Sequence, residues 1–183
     1  MKGRARSMTV VLGAILTLMP SAHAGSSLLD FSRPEVARSF RVVNDGVMGG
    51  VSTSRLSPAD GAMLFAGELS LENNGGFASF RGPAEFPAGS AALLLTVRGD
   101  GKRYKLVLKP DEGASTVQYQ AAFVAPHAWQ TLRFEAADFT ASFRGRPAAA
   151  PALRFADVRH CGLLISDRQV GPFKIELKQI AAE

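Results

Sequence analysis

The chain has 183 residues, 46% of them hydrophobic and 20% charged, with 21 Lys and Arg against 16 Asp and Glu. That length can bury one substantial core, and the absence of a Lys/Arg block excludes a nucleic-acid footprint. A single cysteine, Cys161, excludes an internal disulfide.

Lys2, Arg4 and Arg6 precede an apolar run from Met8 to Leu18, which Pro20 ends; Ala22-His23-Ala24 then sets small residues before Gly25. This is the order of a secretory signal peptide, and the run falls short of the roughly 20 residues a membrane-spanning helix needs. Residues 1–24 are therefore expected to be cleaved after Ala24, with an uncleaved N-terminal anchor as the alternative. Residues 25–183 are expected to form one exported domain in the periplasm, with no transmembrane segment. The leader holds three basic and no acidic residues, so removing it lowers the net charge from +5 to +2.

A short helical turn is expected around Pro34-Glu35-Val36. Residues 43–52 then read VNDGVMGGVS. A phosphate cradle would lead into a helix N-terminus, but Val51-Ser52-Thr53-Ser54 is β-prone. A calcium loop would need more oxygen ligands than Asn44, Asp45 and Ser52 supply, so no metal is expected. The residues read as a bend between strands, with Asn and Asp bonding their own backbone and glycines where side chains would collide. Asn44, Asp45, Met48, Gly49, Gly50 and Ser52 are the first candidate contacts.

Residues 63–71 alternate, with Met63, Phe65, Leu69 and Leu71 on one face and Glu68 and Ser70 on the other. Asn73-Asn74-Gly75-Gly76 suits a tight reversal at positive φ. The strand after it could project Phe77, Ser79 and Arg81 together; Asn73, Asn74, Phe77 and Arg81 are the second set of candidates. Residues 91–97 read as a central strand, and Gly99-Asp100-Gly101-Lys102 as a hairpin turn that presents Asp100, Arg103 and Tyr104. Corners are expected at Pro58-Ala59-Asp60-Gly61 and Pro110-Asp111-Glu112-Gly113.

In residues 104–109, Tyr104, Leu106 and Leu108 face the core, while Lys105, Val107 and Lys109 face away. Trp129 alternates with Thr131 and Arg133, opposite Leu132 and Phe134, which leaves its ring partly wet. Residues 136–139 suggest another turn, and residues 147–151 an irregular Ala/Pro loop. Residues 161–165 form a second continuous apolar run, in which Cys161 is expected to be buried and inert. Phe173, Ile175 and Leu177 alternate cleanly with Lys174, Glu176 and Lys178.

About ten short strands separated by turn signals describe an all-β fold, a single antiparallel β-sandwich. Catalysis is hard to assemble. Only His127 and His160 remain beyond the leader, His160 and Cys161 would point to opposite faces of a strand, and no nucleophile elbow or metalloprotease motif occurs. The chain is therefore read as a non-catalytic module without a cofactor.

Several motifs occur together in a fixed order. NDGVMGG leads into a Ser-containing strand at 44–54, and residues 65–81 read FAGELSLENNGGFASFR. Arg98-Gly99-Asp100-Gly101-Lys102 precedes Tyr104, and Phe143-Arg144-Gly145-Arg146 and Gly171-Pro172-Phe173 follow. In these elements the chain resembles the complex I intermediate-associated protein 30 family. The resemblance implies a galactose-binding-domain-like jelly roll and a chaperone-like role in assembling respiratory complex I. An exported chain would not reach the peripheral arm of bacterial complex I, which faces the cytoplasm. The expected partner is thus a protein, with a respiratory complex as one source, and a carbohydrate is the alternative. For a protein partner, the 44–50, 73–77 and 98–104 segments are expected to meet at one end or face, with Met48 and Phe77 as apolar anchors. For a sugar, Trp129 would be the platform.

Overall fold

A computed structural model of the protein describes residues 27–110 and 117–183. The expected leader and residues 111–113 of the expected corner lie outside these. The described chain forms two antiparallel sheets packed face to face, as period-two alternation requires when one face of each strand must be hidden from water.

The six-stranded sheet contains β1 (Ser27–Asp30), β3 (Thr53–Ala59), β4 (Ala62–Leu69), β6 (Ala92–Gly99), β9 (Gln130–Glu135) and β13 (Gly171–Ala182). Its order is β3-β4-β13-β6-β9, with β1 beside the far half of β13. The seven-stranded sheet contains β2 (Arg41–Asn44), β5 (Ala78–Pro83), β7 (Arg103–Lys109), β8 (Gln118–Val124), β10 (Thr140–Phe143), β11 (Arg146–Pro147) and β12 (His160–Ile165). Its order is β11-β10-β8-β7-β12-β5-β2. One short helix, α1 (Pro34–Arg38), occupies the expected turn and starts on Pro34, whose fixed φ suits a first helical position.

The inward faces match the alternation. Met63, Phe65 and Leu69 of β4, Tyr104, Leu106 and Leu108 of β7, and Phe173, Ile175 and Leu177 of β13 are all buried. Aromatic rings join the layers edge to face: Phe65 lies 4.9 Å from Phe80 of the other sheet and 5.0 Å from Phe173 of its own. Cys161 is buried on β12, the strand between β7 and β5, and burial pushes its thiol up to about 12.

At Lys178 the register between β13 and β6 slips, since Leu177 pairs with Val97 and Gln179 with Thr96. This β-bulge re-aims the strand. Beyond it Ile180, Ala181 and Ala182 are all buried, and Lys178 is left over the Trp129 ring, with its Nζ 4.4 Å from the ring centroid.

Two turn expectations need correction. Asn73 and Asn74 do adopt positive φ, 54° and 60°, and the 99–102 turn holds Gly101 at φ 80°. Neither closes a hairpin, however, because β4 and β5 lie in different sheets, as do β6 and β7. Both segments carry the chain across the sandwich. By contrast, β3 and β4 do form a hairpin, closing at Ala59 and Ala62 around the 58–61 corner.

Candidate functional site at the loop end

The crossing connections place five loops at one end of the sandwich. There β2 ends at Asn44, β4 at Leu69, β6 at Gly99, β8 at Val124 and β12 at Ile165. The strands paired with them begin at the same level: Asn44 pairs with Ala78, Ile165 also pairs with Ala78, Leu69 with Gly171, and Val124 with Arg103. The loops at 45–52, 70–77, 100–102, 125–129 and 166–170 are therefore neighbours, and the 44–50, 73–77 and 98–104 segments come together there.

Asp45 locks the first two loops. Its side chain is fully buried and accepts bonds from the Ser52 amide (3.0 Å) and hydroxyl (2.5 Å) and from the amides of Gly76 (2.7 Å) and Phe77 (3.3 Å). The Ser52 hydroxyl also accepts from the Ser70 amide at 3.0 Å. Burial alone would raise the Asp45 carboxyl, but the Ser52 hydroxyl and the three backbone amides outweigh it and hold the carboxyl below its usual value. Gly50 and Gly75 have no side chain because Asp45 fills the space: a Cβ on either would lie 2.5 Å from one of its oxygens.

Asp100 ties the 100–102 turn to β13. It accepts from the Lys174 amide at 2.8 Å, the Lys102 amide at 3.0 Å and the Tyr104 hydroxyl at 3.1 Å. Burial, then the neighbouring Asp100 charge, push the Tyr104 hydroxyl far above its usual range. Gln169 closes the remaining gap, accepting from the Arg103 amide at 2.9 Å and donating to its carbonyl at 2.7 Å. Backbone bonds from Gly99 to Pro126 and from Gly101 to Ala125 bring in the 125–129 loop.

The candidate residues thus divide. Met48 is exposed at 67%, on a short 3-10 turn over Asp45–Met48 that ends at Gly49 with φ 89°. Asn73, Asn74 and Arg103 are also exposed at this end, and Gly50 is half-buried. Asn44 is half-buried and accepts from the Ser54 hydroxyl at 2.6 Å. Asp45, Ser52 and Tyr104 are corrected from contact surface to interior, because they are 0%, 6% and 0% exposed. Phe77 is half-buried, so it is not the open apolar anchor expected. Asp100 is half-buried and committed to its three donors. Arg81 lies elsewhere, paired with Gly162 and Arg41 partway along the seven-stranded sheet.

Sequence reading missed Val47, Val51, Val124 and Val170, which are 75%, 45%, 60% and 57% exposed. With Met48 they are the exposed large hydrophobic residues among those described, and all five lie at this end. Val124 was within reach of the sequence, since it shares the outward parity of Gln120 and Ala122. The valines flanking Met48 gave no such signal.

Beside this end, on the outer face of the six-stranded sheet, lies an open groove of about 590 Å³ whose lining includes Thr53, Arg55, Glu68 and Lys174. Trp129 is not an open platform, because Arg98 stacks 4.9 Å from its centroid and Lys178 also covers it. Among the described residues, no group of three or more His, Cys, Asp or Glu could hold a metal ion. No described helix is long and apolar enough to cross a membrane.

Two packed antiparallel sheets of this order define an all-β, galactose-binding-domain-like jelly roll. Similar solved structures include the family 11 carbohydrate-binding module from Clostridium thermocellum in complex with a β-1,3-1,4-mixed-linked tetrasaccharide. It has a TM-score of 0.64 at 13% identity, covering 86% of this chain and 95% of that one. The family 11 module of a cellulosomal cellulase of the same organism gives 0.61 at 9%, covering 84% and 92%. An exo-β-agarase gives 0.55 at 11%, covering 86% of this chain but 25% of the agarase. At these identities the likeness is one of fold. The family model for complex I intermediate-associated protein 30 matches residues 29–177, and the chain belongs to that family. No curated protein matches the sequence.

Proposed function

We propose that the protein is a non-catalytic, exported binding module that grips a protein partner in the periplasm through its loop end. One observation carries this reading: the five exposed large apolar side chains among the described residues all lie at the loop end of the sandwich, and three of them, Val47, Met48 and Val51, sit on the 45–52 loop that Asp45 holds from beneath. A loop backbone fixed before contact loses little conformational entropy on binding, which favours recognition of a complementary protein surface. The family name supports an assembly-related role, and an exported member would act on membrane-embedded or exported parts of a complex. Neutral-sugar recognition on Trp129 is disfavoured, since Arg98 and Lys178 cover its ring.

The test is affinity capture with crosslinking from periplasm, comparing wild type with a Val47→Ser, Met48→Ser double variant. Both positions are exposed, so the urea midpoint should not move while the crosslinked partner is lost. Retention of the same partner by the folded double variant would overturn the assignment.

A further inference from the structure

The outer face of the seven-stranded sheet has a character of its own. Across one row of partners run Arg41, Arg81, Gly162, Val107 and Gln120, each paired with the next on the adjacent strand. Their inward neighbours, including Phe80, Leu106 and Ala121, belong to the core, so these five positions face outward. The Arg81 Nε and the Gln120 Nε2 are buried and have no hydrogen-bond partner among the described residues. A buried donor left unmet is costly, and such groups are rare enough that each calls for an explanation. Here two occupy one row. Between them lie the side-chain-free Gly162, where a Cβ would run into the Phe80 carbonyl oxygen, and the small Val107. Three strand spacings separate the strands that carry the two residues, about 14 Å.

Charge points to the occupant. Among the described residues no outward position of β2, β5, β12, β7 or β8 is Asp or Glu. Lys105 is paired with Asp167 at 2.7 Å, whereas Arg41 and Arg81 form no ion pair among the described residues. Arg81, Gly162, Val107 and Gln120 lie on strands paired on both sides, so over these four positions the backbone groups are spent on strand pairing and offer an incoming peptide strand no ladder. These outward positions also carry no Phe, Tyr or Trp on which a neutral sugar ring could stack. What remains is two side chains with unmet donors on either side of Gly162 and Val107, an arrangement that suits a short, rigid, hydroxylated anion.

We infer that this row is a binding site for an acidic polysaccharide, holding a segment of about three uronate-type sugars, a length set by the ~14 Å between the strands of Arg81 and Gln120. Arg81, with Arg41 beside it, pairs a sugar carboxylate, and Gln120 donates to hydroxyl or ring oxygens at the far end. This site is independent of the apolar loop end.

The test is calorimetric titration of the purified protein with an oligogalacturonate, with a neutral β-glucan of equal length and with oligoglutamate as comparisons. The ¹H–¹⁵N signal of the Arg81 Nε is followed in parallel. Saturable binding is expected for the oligogalacturonate alone, weakened at least tenfold in Arg81→Ala and about threefold in Gln120→Ala. It should weaken with salt, shift the Arg81 Nε signal and persist in Arg55→Ala on the opposite sheet. Absence of saturable oligogalacturonate binding would overturn the proposal, as would unchanged affinity in Arg81→Ala. Equal binding of oligoglutamate would replace the polysaccharide with an acidic peptide, and equal binding of the neutral glucan would remove the role of charge.

Discussion

Asp45 keeps its charge away from water because four donors converge on its two oxygens. Asp45→Ala leaves those donors facing a void and should cost about 3–5 kcal/mol in urea unfolding. Asp45→Asn, which keeps the shape but turns one acceptor into a donor, should cost less. Because the folded carboxyl is held below its ordinary value of 3.8, its contribution is complete above that pH and is lost as the pH falls through the folded value. Wild type should therefore lose more stability than Asp45→Asn on acidification below about pH 4. Gly50→Ala should cost about 1–3 kcal/mol through collision with the same carboxylate. Much of that cost should vanish in an Asp45→Ala background, a coupling that a double-mutant cycle measures. Cys161 is a separate case, with a thiol whose burial holds it protonated at neutral pH. It should not react with a thiol reagent in the folded protein at pH 8, and should give one equivalent in denaturant.

Among the elements, the two crossing segments show where local chemistry stops being informative. Asn73-Asn74-Gly75-Gly76 and Gly99-Asp100-Gly101-Lys102 carry the residues that positive φ selects, and their φ values agree. A hairpin and a crossing need the same backbone freedom, so composition locates the turn without saying which sheet receives the next strand. The crossings are then secured by long-range side-chain bonds. Gln169 joins the 166–170 loop to β7 through Arg103 and bonds the Ser166 carbonyl at 3.0 Å. Gln169→Ala should cost about 1–2 kcal/mol and speed hydrogen exchange at the Arg103 amide while leaving the strands protected.

Across the whole molecule, stability rests on the aromatic contacts between sheets. Phe65 touches Phe80 and Phe173 at once, so Phe65→Ala should cost about 3–5 kcal/mol. Unfolding should stay a single transition whether followed by Trp129 fluorescence or far-UV circular dichroism. The alternation that buries Phe65, Leu106 and Ile175 could be read directly, because a strand's period of two is a property of its own residues. The end of the sandwich at which the loops gather could be anticipated only as a cluster. Its apolar surface, its buried Asp45 and Tyr104, and the removal of Arg81 to another face all depend on strand partners far apart in the chain. Periodicity along the sequence thus settled that this is a two-faced β protein, where it turns and which side of each strand is hidden. Tertiary pairing alone decided which loops meet and which charges are sealed or left open, since a strand's own residues do not specify its neighbour.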